Sequence, residues 1–162
     1  MGTTKSGRYI NTKGTGRSAS DYAVIHSTEG TYIQTSGKDS HLRLKSGGHG
    51  QSNLNEMNKY GIIYNIVKNY PNGVRVGNVP DHYQKAKRAG INQAWFPANW
   101  TTKDIRHAGE HVAGLKKNRH VSNGKIIWGV YKGVRVGVMR THGKISTIFP
   151  DSNQSSVLRR KK

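Results

Sequence analysis

The sequence contains no cysteine. That excludes disulfide staples, thiolate zinc sites and a thiol nucleophile, and it leaves the compartment open. Acidic residues are nearly as scarce, with eight Asp and Glu among 162 residues. Hard divalent cations want clustered oxygen ligands, so this scarcity argues against a metal-dependent DNase. Long apolar runs are also missing. None approaches the ~20 residues of a membrane span, and nothing at the N-terminus reads as a signal peptide. No membrane association is expected, and export, if it occurs, falls to another part of a longer protein or to a dedicated machine. Hydrophobic residues make up only 33% of the chain, beside 20 glycines. A modest core with many turns follows, in a chain of single-domain length.

What is abundant is positive charge. Twenty-seven Lys and Arg give a formal net charge of +19. A domain this basic is expected to bind a polyanion, with affinity that falls steeply as salt rises. Anionic membranes favour amphipathic basic helices with bulky apolar faces, and the chain shows none, so nucleic acid is the favoured partner. An acidic protein partner is compatible with the same charge.

Along the chain, residues 1–17 are polar, rich in Gly and Thr, and read as a flexible arm or interdomain linker. The globular domain is expected over 18–155, with a solvated basic tail over 156–162. Alternation of Tyr22, Val24 and His26, followed by Thr31–Gln34, predicts a hairpin. Residues 36–50 read as a glycine-rich loop carrying His41 and His49. Leu54 and Met57 mark a short helix over 51–60. Ile62–Lys68 is a β-branched strand, turned by Tyr70-Pro71-Asn72-Gly73 into Val74–Val79. The basic segment 82–90 has no apolar face. Thr101 and Thr102 are N-caps for a helix running to about Lys117, with Ile105, Ala108, Val112 and Leu115 as its buried stripe. The last third is a meander of strands over 125–130, 134–140 and 144–149. Asn72-Gly-Val-Arg-Val-Gly77 recurs as Lys132-Gly-Val-Arg-Val-Gly137, sixty residues on. The fold expected is therefore α+β. Duplicated helix-plus-hairpin halves give two small antiparallel sheets flanking a central cleft, with helices packed on the sheets.

The stretch from His41 to Lys68 carries candidate chemistry. Two histidines eight residues apart, the second inside Gly47-Gly48-His49-Gly50, precede a lysine. One imidazole can deprotonate a ribose 2'-hydroxyl and the other can protonate the leaving 5'-oxygen. A fixed cation can stabilise the phosphorane between them. His26 is the substitute for His41. Lys85, Lys87 and Arg88 are candidate phosphate contacts. His107 and His111 share a helix face, as two zinc ligands would, but lack a third ligand. No metal or other cofactor is expected. Trp95 and Trp100 are expected to pack rather than bind bases.

Several stretches together resemble the EndoU-type endoribonucleases, in particular their bacterial polymorphic-toxin branch. They are Ser40-His41-Leu42 through Gly47-Gly48-His49-Gly50, Gly61–Lys68, Pro71–Pro80, Gln93–Trp100 (QAWFPANW) with the helix after it, and Gly143–Pro150 (GKISTIFP). They span roughly residues 40–150 in the family's order. The resemblance implies a two-sheet α+β fold and metal-independent RNA cleavage, often 3' of uridine, leaving a 2',3'-cyclic phosphate. It implies His41, His49 and Lys68 as catalytic groups, with Thr147 of the final strand holding substrate beside Ser146 and Phe149. The final aromatic, usually tyrosine in the family, is Phe149, which can stack on a base but cannot donate a hydrogen bond. The expected protein is a monomeric toxin domain, secreted or delivered into a target cell's cytoplasm. Its partners would be an RNA substrate and an acidic immunity protein that protects the producer.

Overall fold

In a computed structural model that describes residues 18–160, four helices and eight strands form an α+β fold with small antiparallel sheets. The arm expected over 1–17 and the last two residues of the basic tail lie outside the described residues. In chain order the elements are α1 (Asp21–Thr28), β1 (Thr31–Gln34), β2 (Leu42–Ser46), α2 (Gln51–Tyr60), β3 (Asn65–Asn69) and β4 (Arg75–Asn78). They continue with β5 (Gln93–Trp95), α3 (Thr102–Gly114), β6 (Ile126–Tyr131), β7 (Val134–Thr141), β8 (Lys144–Pro150) and α4 (Ser155–Arg160). The sheets are β1-β2, β3-β4-β5 and β6-β7-β8.

The two repeat copies occupy matching places. Each opens the second strand of a hairpin, β3-β4 or β6-β7, and in each the valines face inward. Val74, Val76, Val134 and Val136 are all fully buried. The two turns also touch. The Asn72 amide donates to Gly133 O (3.0 Å) and to Gln154 Oε1 (3.1 Å). Gln154, fully buried, uses its own amide nitrogen on Arg135 O (3.0 Å) and Asp151 O (2.8 Å), while its oxygen accepts from Arg135 N–H (2.8 Å). A buried amide with this many partners costs little to desolvate and joins the two halves at their turns.

Helix α3 starts at a capping box between Thr101 and Asp104. It lays Ile105, Ala108 and Val112 on the inner face of β6-β7-β8, against Ile127, Val136, Val138 and Ile148. A second core gathers Leu44, Leu54, Met57, Val79 and Trp95 between α2 and the first half. There Trp95 Nε1–H donates to Asn53 of α2 (2.9 Å), and Trp100 stacks on Phe96 5.0 Å away, so both tryptophans pack.

The structure departs from the sequence reading in four places. Asp21–Thr28 is a helix, capped by the Ser20 hydroxyl accepting from Ala23 N–H (3.1 Å), and not the first arm of a hairpin. Its buried face is Ala23, Val24, Ser27 and Thr28, too small and polar to show as an apolar stripe. The loop expected over 36–50 contains β2, which pairs with β1. The strand ending at Lys68 is exposed at all five positions, because β3 is an edge. The solvated tail begins with helix α4, which buries Val157 and packs Leu158 on the main core.

Candidate active site

His26 sits in the last turn of α1, where backbone carbonyls lack helical partners. The Gly-Gly-His-Gly segment supplies them. Gly48 N–H donates to His26 O (3.0 Å), His49 N–H to Ser27 O (2.5 Å) and Gly50 N–H to Thr28 O (3.0 Å), which lays His49 alongside His26. Gly47 and Gly48 have φ of +68° and +75°, the left-handed region. A Cβ on Gly47 would lie 2.2 Å from His26 O, and one on Gly48 2.5 Å from the Asn53 amide. On its other side His49 is tied to β5. Its carbonyl accepts from Phe96 N–H (2.7 Å), and its Nδ1–H donates to Ala94 O (2.8 Å). A carbonyl can only accept, so the proton is on Nδ1 and Nε2 keeps its lone pair. The His26 Nδ1 shares a hydrogen bond with Thr31 Oγ1 (2.8 Å).

The facing wall is the outer face of β6-β7-β8. Its register puts Ile126, Met139 and Thr147 in one row, and Trp128, Gly137 and Phe149 in the next. A Cβ on Gly137 would lie 2.7 Å from the Phe149 ring and 2.8 Å from that of Trp128, so glycine is what lets the two aromatics close over β7. Phe149 lies 5.9 Å from the His49 ring and meets Trp128 edge-on at 5.7 Å. The edge strand β8 is fastened to α1 by Ile148 N–H donating to Ser27 Oγ (2.9 Å). That bond sets His26, the residue before Ser27, beside the wall carrying Thr147.

The segment 82–87 closes the site. Fully buried His82 accepts Gln84 N–H on Nδ1 (2.9 Å), and the Gln84 amide donates to Lys45 O (2.8 Å). The turn Lys85–Lys87 then brings Lys87 to the cleft. The result is a cleft of about 520 Å³ lined by His26, His49, Lys87, Thr147, Phe149 and Trp128, among others. Burial, then the Lys87 charge, pushes the His49 pKa down to about 3, so His49 is neutral near pH 7. Burial also lowers His26 and Lys87. Two imidazoles and a partly desolvated ammonium thus share one cleft.

The sequence matches the bacterial EndoU nuclease family over residues 20–152, most of the chain. The chain belongs to that family. No curated protein and no solved structure shows a significant match to it. As an EndoU nuclease its activity is endonucleolytic.

Within this EndoU fold the residues singled out from sequence separate into two groups. His49, Lys87, Thr147 and Phe149 line the cleft. His41 does not. It is half-exposed, with Nε2 2.6 Å from the Asp81 carboxylate and Nδ1 2.6 Å from Asp39 O. The Asp39 carbonyl and then Asp81 raise its pKa, and two acceptors on one ring favour the charged form. Lys68 is on the exposed edge strand with its ammonium 4.5 Å from the Tyr70 ring, also outside the cleft. Ser146 is turned into its own sheet, donating to Met139 O (3.0 Å). Arg88 is spent on His82 O (2.6 Å) and Tyr83 O (3.2 Å), so it shapes the loop, while Lys85 is exposed. The structure therefore brings His26, not His41, next to His49, and the lysine lining the cleft is Lys87, not Lys68. The Ser20-Asp21 cap was the signal that α1 is a helix and that His26 ends it. Nothing in the segment around Lys87 distinguishes it from its neighbours. Among the described residues no group of three or more His, Cys, Asp or Glu is placed to hold a metal, and both His107 and His111 are exposed.

Proposed function

We propose that this EndoU nuclease cleaves RNA without a metal, by attack of the 2'-oxygen on the adjacent phosphorus to leave a 2',3'-cyclic phosphate. The observation that carries the reading is the meeting of His26, His49 and Lys87 in one cleft. His49, neutral and with Nε2 unprotonated, takes the 2'-hydroxyl proton. His26, less buried, donates a proton to the departing 5'-oxygen. Lys87 stabilises the negative charge that builds on the phosphorane, and it does so without reorganising because burial has already stripped part of its water. Thr147 holds the phosphate or base, and Phe149 offers a ring face to the base, uridine being the base inherited from the family resemblance. The carboxylate lining the cleft, Asp151, is paired with Arg135, which suits a site for a polyanion.

The +19 charge favours an acidic inhibitor that covers the cleft, and with it the role of a toxin domain delivered into a target cell. Incubation with end-labelled RNA in EDTA tests the chemistry. Cyclic-phosphate ends are expected, lost in His49→Ala while the circular dichroism spectrum is kept. A shifted but intact RNA band would instead mark a binding module, and cleavage only on adding divalent metal would overturn the mechanism.

A further inference from the structure

Next to the cleft, β2 alternates. Leu44 is fully buried, so its neighbours Arg43 and Lys45 project from the opposite side. Tyr83 lies across them. Its N–H donates to Leu44 O (2.9 Å) and its carbonyl accepts from Arg88 (3.2 Å), which fixes the backbone beneath the ring. Tyr83 as a whole is 48% exposed and belongs to neither core cluster. The Arg43 guanidinium is 5.8 Å and the Lys45 ammonium 6.0 Å from its centre. Arg43 is held in place by Asp81 O (3.1 Å) and His82 O (3.2 Å). The nearby carboxylate of Asp81 is engaged by His41 (2.6 Å) and Arg43 (3.4 Å), which blunts its repulsion of a phosphate.

This cluster is one residue from the cleft along two strands of chain at once. Gln84, next to Tyr83, and Ser46, next to Lys45, both line the cleft, and the Gln84 amide is bonded to Lys45 O. An exposed aromatic ring on an anchored backbone, with two cations over it, is a combination that holds a nucleotide of single-stranded nucleic acid. The base stacks on the ring, and the phosphate meets the cations. We infer that Tyr83, Arg43 and Lys45 form a stacking subsite for one nucleotide flanking the two nucleotides of the scissile step held in the cleft. The inference rests on the ribonuclease reading above and extends it. The cleft would act at the scissile step, while Tyr83 would make a longer single strand a better substrate than a dinucleotide.

The test compares a dinucleotide, which has no flanking nucleotide, with a hexanucleotide containing the same scissile step. The hexanucleotide is expected to have the higher kcat/KM. Tyr83→Ala should remove about tenfold of that advantage, mainly through KM, while Tyr83→Phe keeps it because stacking needs the ring and not the hydroxyl. Placing abasic nucleotides one by one along the hexamer then finds the stacked position. It is the one whose loss harms the wild type and not Tyr83→Ala. An equal loss on both substrates, or an unchanged hexanucleotide, would overturn the subsite. Anisotropy with a non-cleavable 2'-deoxy hexamer separates this from the catalytic reading. If the wild type binds it about tenfold more tightly than Tyr83→Ala yet cuts no RNA, the subsite stands and the ribonuclease reading falls. Equal binding by the two proteins sinks the subsite whatever the cleavage result.

Discussion

Lowering the pH from 7 to 5 should cost this protein a large part of its stability, and two histidines set the size of the loss. His49 and His82 are 5% and 0% exposed, and burial holds their pKa values at about 3 and about 4 against an ordinary 6.5. Between those limits the unfolded chain binds a proton at each site that the folded chain refuses. Stability therefore rises with pH across the window and is lost as pH falls from 6.5 toward 4. At pH 5 each unfolded imidazole is almost fully protonated, which costs folding about 2 kcal/mol per histidine relative to pH 7, or about 4 kcal/mol for the pair. A domain of this size has about 5–15 kcal/mol in total. His26, whose pKa burial also lowers, adds to the loss, while the raised pKa of exposed His41 opposes it weakly. Carboxylates interfere little, because only eight exist and the shifted one, Asp104, is held below its ordinary 3.8. Urea unfolding followed by tryptophan fluorescence at the two pH values measures the difference. His82→Asn keeps an acceptor for Gln84 N–H but cannot titrate, so its loss should shrink to about 2 kcal/mol. Identical urea midpoints at pH 7 and pH 5, with unchanged slopes, would refute the reasoning.

Three further outcomes follow from the site. His26→Ala and Lys87→Ala should lower kcat on RNA by about 10²-fold or more, whereas His41→Ala and Lys68→Ala should stay within a few-fold of wild type. The opposite ranking in a single-turnover assay would return the site to His41 and Lys68. The profile of log kcat/KM against pH should fall with unit slope above a pKa lying below 6.5, because His26 must be protonated to act as the acid and burial disfavours its charge. A profile still rising through pH 7 would contradict that assignment. Gly137→Ala should lower stability by about 1–3 kcal/mol and reduce kcat/KM, since its Cβ would force apart Phe149 and Trp128. An unchanged Tm and rate would show that the aromatics give way at no cost.

The sequence made legible what local chemistry dictates. The meander β6-β7-β8 shows through its alternation and Gly turns, α3 through its threonine N-cap and the spacing of Ile105, Ala108 and Val112, and His49 through the glycines that flank it. What stayed hidden depends on contacts between distant segments. Helix α1 has no apolar stripe because its buried residues include Ser27 and Thr28, and Ser27 is buried in order to bind β8. Tyr22, Val24 and His26 consequently fit a strand as well as a helix. Lys87 is one cation among 27. It enters the cleft only because His82 and Gln84 shape the turn before it, and a bond to Lys45 O, 39 residues away in sequence, has no local signature.

The two copies of the repeat serve the cleft in different ways. Its valines serve both copies alike, but its arginine and last glycine do not. Arg75 donates to Gln51 Oε1 (2.6 Å) and Phe96 O (2.5 Å), binding α2 and the chain after β5 into the first half. Arg135, at the same repeat position, lies 4.3 Å over the Trp128 ring and pairs with Asp151 at the cleft. Gly77 is required by backbone, since its Cβ would fall 1.8 Å from Asn65 O, whereas Gly137 is required by the rings of Phe149 and Trp128. The first copy has therefore become the frame that fixes His49 through β5, and the second has become the aromatic wall that faces it. A substitution at Gly77 should accordingly act on folding, and one at Gly137 on the cleft as well.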